Sequence, residues 1–255
     1  MWALLPLKDF VQAKQRLAGS LTVSERRVLF HSMVEDVLGV VASYPRFEQV
    51  VLVSDDPSAH LLAEHYGVAC WPERDFGVRG LNEVVGAALA NIHRVAPRSN
   101  VMVVHGDLPL LSHRELDAVF DAHAELLNEG PSGLSIVTDH YRRGTNILVC
   151  NPARMPKLAY GQASCELHYR EAQCLAIPVQ ILNLSGIAQD IDTSGDLLRL
   201  LAMPQNSTAQ HTRKFLQESG IAQRLNLMSG EVNINANSTA VVMNTQSAMS
   251  DWSVL

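Results

Sequence analysis

The sequence predicts an α/β protein with a doubly wound, mostly parallel sheet. Short apolar runs of strand length alternate with longer segments in which apolar residues recur at helical spacing. One of these runs, VMVV at residues 101–104, is entirely hydrophobic and is followed by His, Gly, Asp, Leu and Pro, as expected of a buried strand that has just ended. Regular alternation of strands and helices favours a parallel sheet with helices packed on both faces.

Each predicted element has a local signal of its own. Strands are predicted from the short apolar runs at 1–7, 49–54, 68–71, 101–104, 134–138, 145–149 and 175–182. Helices are predicted from periodic segments at 23–44, 57–66, 81–95, 113–130, 164–172 and 194–203, and residues 211–225 can form one more. Thr22 followed by Glu25 has the spacing of a capping box, and Ser112 followed by Glu115 repeats it.

We expect one folded domain over residues 1–228 and a C-terminal tail over residues 229–255. A chain of 255 residues, of which 47% are hydrophobic, can bury one sizeable core. The composition changes near residue 204, and Ser, Asn and Thr dominate beyond residue 229 without a clear period. We therefore interpret the tail as flexible or loosely docked.

Composition also excludes several classes of protein. The net charge of −6 argues against general nucleic-acid binding, which needs a basic surface. No stretch approaches the roughly 20 apolar residues of a membrane span, and the start MWALLPLKDF lacks the basic leader of a signal peptide. The four cysteines form no CxxC pair, so a zinc site is not expected, and free thiols fit a reducing cytoplasm.

Carboxylates stand just after predicted strands and just before a predicted helix. Asp107 follows the strand at 101–104, and Asp190 and Asp192 precede the helix at 194–203. In an open α/β sheet, ligands bind outside the carboxyl ends of the strands, so these acids can meet at one Mg²⁺ ion. Taken singly, each acid can instead cap a turn or a helix, with Thr193 or its neighbour as the helix cap. The spacing is compatible with both interpretations.

The loop after the first predicted strand is basic, since it contains Lys8, Lys14 and Arg16. This position is a common phosphate site in such sheets. No glycine occurs in the loop before Gly19, so neither the dinucleotide-binding fingerprint nor the P-loop is present. Cationic side chains would have to neutralise phosphates here. A solvated basic loop is an equally good interpretation.

Two further stretches carry donors that suit an anion. Their residues are Arg143, Thr145, Asn146, Gly161, Ser164 and His168. The first three combine guanidinium, hydroxyl and amide groups, which suit a carboxylate or a phosphate, although the same residues also form ordinary turns. Gly161 and Ser164 open a short helix whose N-terminus can hold an anion. His168 lies one helical turn after Ser164 and has either a ligand role or none.

With these stretches in this order, the sequence resembles the guanylyltransferases of deazaflavin coenzyme F420 biosynthesis. The matching segments are Pro6-Leu-Lys8, Ala13-Lys-Gln-Arg-Leu17, Gly80-Leu-Asn82, Gly106-Asp-Leu-Pro-Leu110, Arg142-Arg-Gly-Thr-Asn146, Tyr160-Gly-Gln-Ala-Ser-Cys-Glu-Leu-His168 and Asp190-Ile-Asp-Thr193. They extend over roughly residues 1–225, which is far more specific than any one motif. Tyr160 and Cys165 stand where the family has phenylalanine, beside the loop for the acceptor.

The resemblance implies a Rossmann-like, GT-A-like nucleotidyltransferase fold. It implies that GMP passes from GTP to the phosphate of phosphoenolpyruvate, 3-phospho-D-glycerate or 2-phospho-L-lactate. It further implies that Asp107 and Asp192, with or without Asp190, hold Mg²⁺ and act in catalysis with Lys14. The residues implied to bind the nucleotide are Lys8, Lys14, Arg16, Gly80 and Asn82. The residues implied to bind the phosphorylated acid are Arg143, Thr145, Asn146, Gly161 and Ser164.

Two other functions were weighed. A molybdenum-cofactor or sugar-phosphate nucleotidyltransferase of the same fold would usually have a glycine-rich first loop, which is absent here. A non-catalytic nucleotide-binding module would be expected to have lost an acidic metal ligand, whereas both acidic segments are present. The expected partners are therefore GTP and a small phosphorylated carboxylic acid, without nucleic acid or membrane. A homodimer is compatible with the sequence.

Overall fold

A seven-stranded sheet forms the centre of the fold in a computed structural model that describes residues 1–7, 9–128, 130–204 and 208–227. Its strands are β1 (Trp2–Pro6), β2 (Gln49–Val53), β3 (Ala69–Trp71), β4 (Val101–Val104), β5 (Leu134–Thr138), β6 (Thr145–Cys150) and β7 (Val179–Leu182). Their order across the sheet is β3-β2-β1-β4-β6-β5-β7. Neighbouring strands are parallel except at β6, which is antiparallel to both β4 and β5. The predicted mostly parallel sheet is confirmed.

Helices cover both faces of the sheet. They are α1 (Val23–Ser43), α2 (Pro57–Tyr66), α3 (Leu81–Val95), α4 (His113–Leu127), α5 (Ser164–Cys174), α6 (Ser194–Ala202) and α7 (Gln210–Glu218). Ala3 and Leu5 of β1 point into the core that contains α1, α2, α4, α6 and α7, whereas Leu4 points into the core that contains α3 and α5. Strand residues thus alternate between two apolar layers, as a doubly wound sheet requires. No helix in the described ranges is both long and apolar enough to cross a membrane.

The predicted helix caps form as expected. The Thr22 side chain accepts a hydrogen bond from the Glu25 backbone N–H at 3.2 Å, while Glu25 accepts from the Thr22 N–H at 2.8 Å. Ser112 accepts from the Glu115 N–H at 3.3 Å at the start of α4. Each cap satisfies backbone N–H groups that the first helical turn leaves without partners, which fixes where α1 and α4 begin.

Two predicted elements were wrong in their extent. The helix expected over 211–225 is interrupted, because α7 ends at Glu218 and Gly220 has a φ of +72° before helix resumes at 221–227. The strand expected over 175–182 forms only from Val179, because Leu175 still belongs to the end of α5. Lys8 and the predicted tail at 229–255 lie outside the described residues.

Candidate active site

The site lies at the edge of the sheet where β1, β2 and β4 end. β2 and β4 each pair in parallel with β1, so the carboxyl ends of all three strands face the same side, as in other open α/β sheets. Asp107 lies three residues beyond the end of β4. The backbone N–H of Ile191 donates to the Asp107 carbonyl oxygen at 3.1 Å and brings the 190–192 segment to the same edge. The two acidic segments predicted to meet therefore do meet.

Lys14 occupies the space between Asp107 and Asp192. Its ammonium donates to Asp107 Oδ2 at 2.6 Å and to Asp192 Oδ1 at 2.7 Å. The lysine side chain is only 4% exposed, whereas the two carboxylates are 23% and 36% exposed. We call these three residues the central triad. A buried cation is thus shared by two partly exposed carboxylates.

The charges of the central triad stabilise one another. Burial alone would lower the pKa of Lys14, but Asp107 and Asp192 outweigh it and raise that pKa above its ordinary value. Burial alone would likewise raise the pKa of Asp107, yet the neighbouring Lys14 ammonium holds it below its ordinary value. At neutral pH the lysine and this aspartate are therefore both ionised.

The backbone at Lys14 is strained in a way that places its side chain. Its φ of +54° and ψ of +42° lie in the left-handed region, which a residue other than glycine enters only at a cost of about 1 kcal/mol or more. A short 3₁₀ helix at Gln15–Leu17 follows directly. This turn aims the ammonium inward while Arg16 stays in solvent. No local pattern in the sequence predicts that conformation.

Asp107 and Asp192 form a donor set that fits Mg²⁺. One cation, the Lys14 ammonium, already bridges them at hydrogen-bonding distance, so their carboxylates converge closely enough for a single ion. Magnesium commonly binds one or two carboxylates and completes its coordination with water and substrate phosphates. Within the described part of the chain, no group of three or more His, Cys, Asp or Glu side chains is arranged to hold a metal. Asp107 and Asp192 are the two carboxylates that this geometry brings to one cation.

Asp190 and Asp196 have surroundings different from those of Asp192. Burial, reinforced by Asp107 and Asp192, raises the pKa of Asp190 to about 6, and its Oδ1 accepts from Asn146 Nδ2 at 3.3 Å. Asp196 forms a capping box with Thr193 at the start of α6, as the capping interpretation predicted. Of the three acids between residues 190 and 196, one thus belongs to the central triad, one is a neighbour with a raised pKa and one caps a helix.

Two larger clefts flank the central triad. The first, which we call the β1–β2 cleft, has a volume of about 590 Å³. Its lining includes Pro6, Asp55, Gly80, Leu81 and Val84. The second, the β6–α5 cleft, has a volume of about 720 Å³, and its lining includes Arg143, Asn146, Gly161, Ala163 and Arg199. A smaller cleft of about 350 Å³ holds the triad and shares Leu81 with the first and Arg16 with the second.

Gly80 lines the β1–β2 cleft, and the local geometry favours glycine at this position. Its φ of +97° is unfavourable for other residues, and a Cβ there would lie 2.7 Å from Glu83 Oε2. Asn82, also predicted to face a nucleotide, instead pairs with the backbone of Tyr160: its Oδ1 accepts from the Tyr160 N–H at 2.6 Å. Arg16 is 76% exposed and its Nη1 lies 3.4 Å from Asp192 Oδ2, so it stands at the mouth of the site.

The predicted acceptor residues gather around the β6–α5 cleft with different degrees of exposure. Arg143 and Gly161 line it directly, and Gly161 has a φ of +131°. Asn146 also lines it, although its amide nitrogen donates to the Ile187 carbonyl oxygen at 2.7 Å. Thr145 and Ser164 do not line it: they are buried, with 5% and 2% of their surfaces exposed, and are the chain neighbours of Gly144 and Ala163, which do. Arg199, which was not predicted, adds a third guanidinium to those of Arg16 and Arg143.

His168 links two chain segments next to this cleft, at Thr145 and at Ala159. The Ala159 backbone N–H donates to His168 Nε2 at 2.9 Å, so Nδ1 carries the proton and donates to Thr145 Oγ1 at 3.1 Å. Burial lowers the pKa of His168 to about 4, so the ring is neutral near pH 7. The prediction left a ligand role or no role open for His168, and the structure gives it a supporting contact.

Tyr160 carries a hydroxyl that its surroundings do not satisfy. Within the described residues, its buried OH has no hydrogen-bond partner. Burial raises the pKa of this phenol well above its ordinary value. We expect Tyr160→Phe to increase the free energy of unfolding by about 1 kcal/mol, because it removes a desolvated hydroxyl without removing a hydrogen bond. Urea unfolding measures this change, and a less stable variant would show that the hydroxyl has a partner after all.

The chain is similar to known proteins over most of its length. The family described as "Guanylyl transferase CofC like" matches residues 1–235. A phosphoenolpyruvate guanylyltransferase of Conexibacter woesei is 33% identical over 220 residues, which cover 85% of this chain and 95% of the relative. A 2-phospho-L-lactate guanylyltransferase of Methanothermobacter thermautotrophicus is 27% identical over 217 residues, which cover 85% of this chain and 89% of the relative.

Solved structures support the fold. One protein of Desulfovibrio desulfuricans G20, described provisionally as a nucleotide-diphospho-sugar transferase, superposes with a TM-score of 0.68 at 15% identity, covering 88% of this chain and 97% of the other. A cytidylyltransferase of Leptospira borgpetersenii gives a TM-score of 0.50 at 14% identity, covering 86% of this chain and 94% of the other. The fold is thus the Rossmann-like one of nucleotidyltransferases. From the extent of the family match and the identity to its relatives, the chain belongs to the CofC-like guanylyl transferase family.

Proposed function

We propose that the protein transfers GMP from GTP to the phosphate of a small phosphorylated carboxylic acid, releasing pyrophosphate, in coenzyme F420 biosynthesis. The observation that carries the proposal is the position of the central triad between two clefts. The β1–β2 cleft has the size for a nucleoside. The β6–α5 cleft has a mixed lining of aspartates and arginines, and its arginines, Arg16, Arg143 and Arg199, can contact a small anion. Names of the relatives support guanylyl transfer and both phosphoenolpyruvate and 2-phospho-L-lactate as acceptors.

The reaction joins two anions, so the site must supply positive charge. A phosphate oxygen of the acid attacks the α-phosphorus of GTP, the new P–O–P bond forms, and the bond to pyrophosphate breaks. Lys14 is placed to offset charge at the reacting phosphates, and Arg16 stands at the mouth where pyrophosphate would leave. Arg143 and Arg199 would orient the acceptor. Catalysis then consists mainly of positioning and electrostatic stabilisation.

Asp107 and Asp192 would hold Mg²⁺ at this site. A bound magnesium ion would supply charge neutralisation for the phosphates of both substrates. Asp190 would contribute a third carboxylate nearby, kept half-protonated near pH 6 by its burial. No protein nucleophile is required, because a phosphate oxygen is already ionised near pH 7. The four free cysteines support a cytoplasmic location.

The test is pyrophosphate release by the purified full-length protein with GTP and Mg²⁺. Phosphoenolpyruvate, 3-phospho-D-glycerate and 2-phospho-L-lactate are added in turn, and ATP and CTP replace GTP in parallel reactions. Turnover that requires GTP and one of the acids would establish the reaction and its acceptor. Absence of turnover with all three acids, in a protein that binds GTP, would refute the proposed acceptor class.

Ser164 provides a check on the acceptor side of the site. It is the buried first residue of α5 and directly follows Ala163, which lines the β6–α5 cleft. We expect Ser164→Ala to raise the KM for the phosphorylated acid by roughly 10-fold, because a hydrogen bond to a charged group is lost, while the KM for GTP changes little. Steady-state kinetics with each substrate varied separately measures both constants. Equal increases in the two constants would place Ser164 outside the acceptor site.

A further inference from the structure

Asn82 at the start of α3 forms a pair of hydrogen bonds with one peptide segment in front of α5. Its Oδ1 accepts from the Tyr160 backbone N–H at 2.6 Å, and its Nδ2 donates to the Tyr160 carbonyl oxygen at 3.3 Å. A single primary amide thus satisfies both backbone groups of one residue, much as a neighbouring strand would. The residues are 78 positions apart in the sequence, so this pair joins two distant parts of the chain.

The pair connects the walls of the two clefts. Gly80 and Leu81, immediately before Asn82, line the β1–β2 cleft. Gly161, immediately after Tyr160, lines the β6–α5 cleft. A shift of the α3 start would therefore be transmitted through Asn82 to the backbone of Gly161. Because Gly161 has a φ of +131°, its peptide orientation depends on such outside support.

The Tyr160 segment is also tied to the centre of the site and to the acceptor wall. The Tyr160 ring packs edge-on against His105, two residues before Asp107, with ring centroids 5.1 Å apart. On its other side it packs against His168 at 5.0 Å, and His168 accepts from the Ala159 N–H. Contacts therefore run without interruption from α3 through the Tyr160 segment to α5.

We propose that Asn82 is a positioning residue that couples the two substrate sites. This inference rests on the proposed function. A guanine nucleotide in the β1–β2 cleft holds the start of α3 in place. Asn82 then fixes Tyr160 and Gly161 in the arrangement that binds the acid. Coupling of this kind is reciprocal, so the acid also strengthens nucleotide binding. Asn82 acts on the acceptor site rather than as a direct ligand of the nucleotide.

Calorimetric titration of the whole protein tests the coupling without turnover. The nucleotide is guanosine 5′-(α,β-methylene)triphosphate with Mg²⁺, and the acid is the tightest binder among phosphoenolpyruvate, 3-phospho-D-glycerate and 2-phospho-L-lactate. We expect the nucleotide to lower the Kd of the acid in the wild-type protein by roughly fivefold or more. In Asn82→Ala this ratio should fall to about 1, with the Kd of the nucleotide alone changed less than about twofold. Asn91→Ala, a change later in α3 at a residue that lines none of the three clefts of the site, serves as the matched control and should keep the wild-type ratio.

Asn82→Asp refines the test and covers loss of folding in the alanine variant. Aspartate keeps an acceptor for the Tyr160 N–H but loses the donor to its carbonyl oxygen, so the ratio should be intermediate. A wild-type ratio of about 1, or an unchanged ratio in folded Asn82 variants, would overturn the proposal. A raised nucleotide Kd with an unchanged ratio would make Asn82 a direct nucleotide ligand. Wild-type protein that binds neither substrate would instead refute the proposed function itself.

Discussion

We expect the Asp107→Asn protein to fold normally and to lose roughly 10³-fold or more in kcat. The substitution preserves the shape of the side chain and the backbone carbonyl that accepts from Ile191. Lys14 keeps Asp192 as its partner at 2.7 Å, so its buried ammonium remains paired. The variant loses half of the carboxylate pair that would hold Mg²⁺ between the substrates. Pyrophosphate release, together with thermal unfolding, measures both effects.

Asp121→Asn is the matched control for this variant. Asp121 is a solvent-exposed acid on α4 that pairs with Arg46 at 2.7 Å. It lines none of the three clefts of the site. Its substitution should leave kcat within about twofold, since exposed ion pairs contribute little. A folded Asp107→Asn protein that retained more than a tenth of wild-type kcat would remove Asp107 from the proposed metal site.

The features predicted correctly are those set by local patterns and by the general geometry of parallel sheets. The run at 101–104 indicated a buried strand, and the position of Asp107 after it placed a carboxylate at the carboxyl edge of the sheet. Thr22 and Ser112 marked the starts of two helices, because capping depends on residues only three apart. The family resemblance then brought the distant acidic segment at 190–192 into the same site.

Features that depend on tertiary contacts were not predictable from the same patterns. Nothing in the sequence around Lys14 indicates a left-handed backbone, and that conformation is what directs the ammonium between two carboxylates. Asn82 was predicted to face a nucleotide because of its neighbours in the motif, whereas its amide pairs with Tyr160, 78 residues away. The strand at 145–150 gave no sign of running antiparallel, since strand direction depends on the connection and not on the strand itself.

We expect Lys14→Met to lower the free energy of unfolding by about 2 kcal/mol at pH 7 and to abolish turnover. The variant leaves Asp107 and Asp192 facing each other without the cation that both contact. Partial exposure of both carboxylates limits the cost compared with a fully buried pair. In a protein of this size the loss corresponds to a fall in Tm of roughly 5 °C. Lys214→Met, an exposed change on α7, should leave Tm and turnover nearly unchanged.

The loss of stability in Lys14→Met should depend on pH and on Mg²⁺. In the folded state Asp107 and Asp192 raise the pKa of Lys14, and Lys14 lowers the pKa of Asp107. The stability that these interactions give the wild type is therefore fully present above the ordinary aspartate pKa of 3.8 and below the ordinary lysine pKa of 10.5. In the variant, burial without the ammonium favours the protonated form of Asp107, so the difference in Tm should shrink as the pH falls from 7 towards 4. Millimolar Mg²⁺ should raise the Tm of the variant more than that of the wild type, because the ion can take the place of the ammonium. Equal effects of Mg²⁺ on the two proteins would argue against a metal between Asp107 and Asp192.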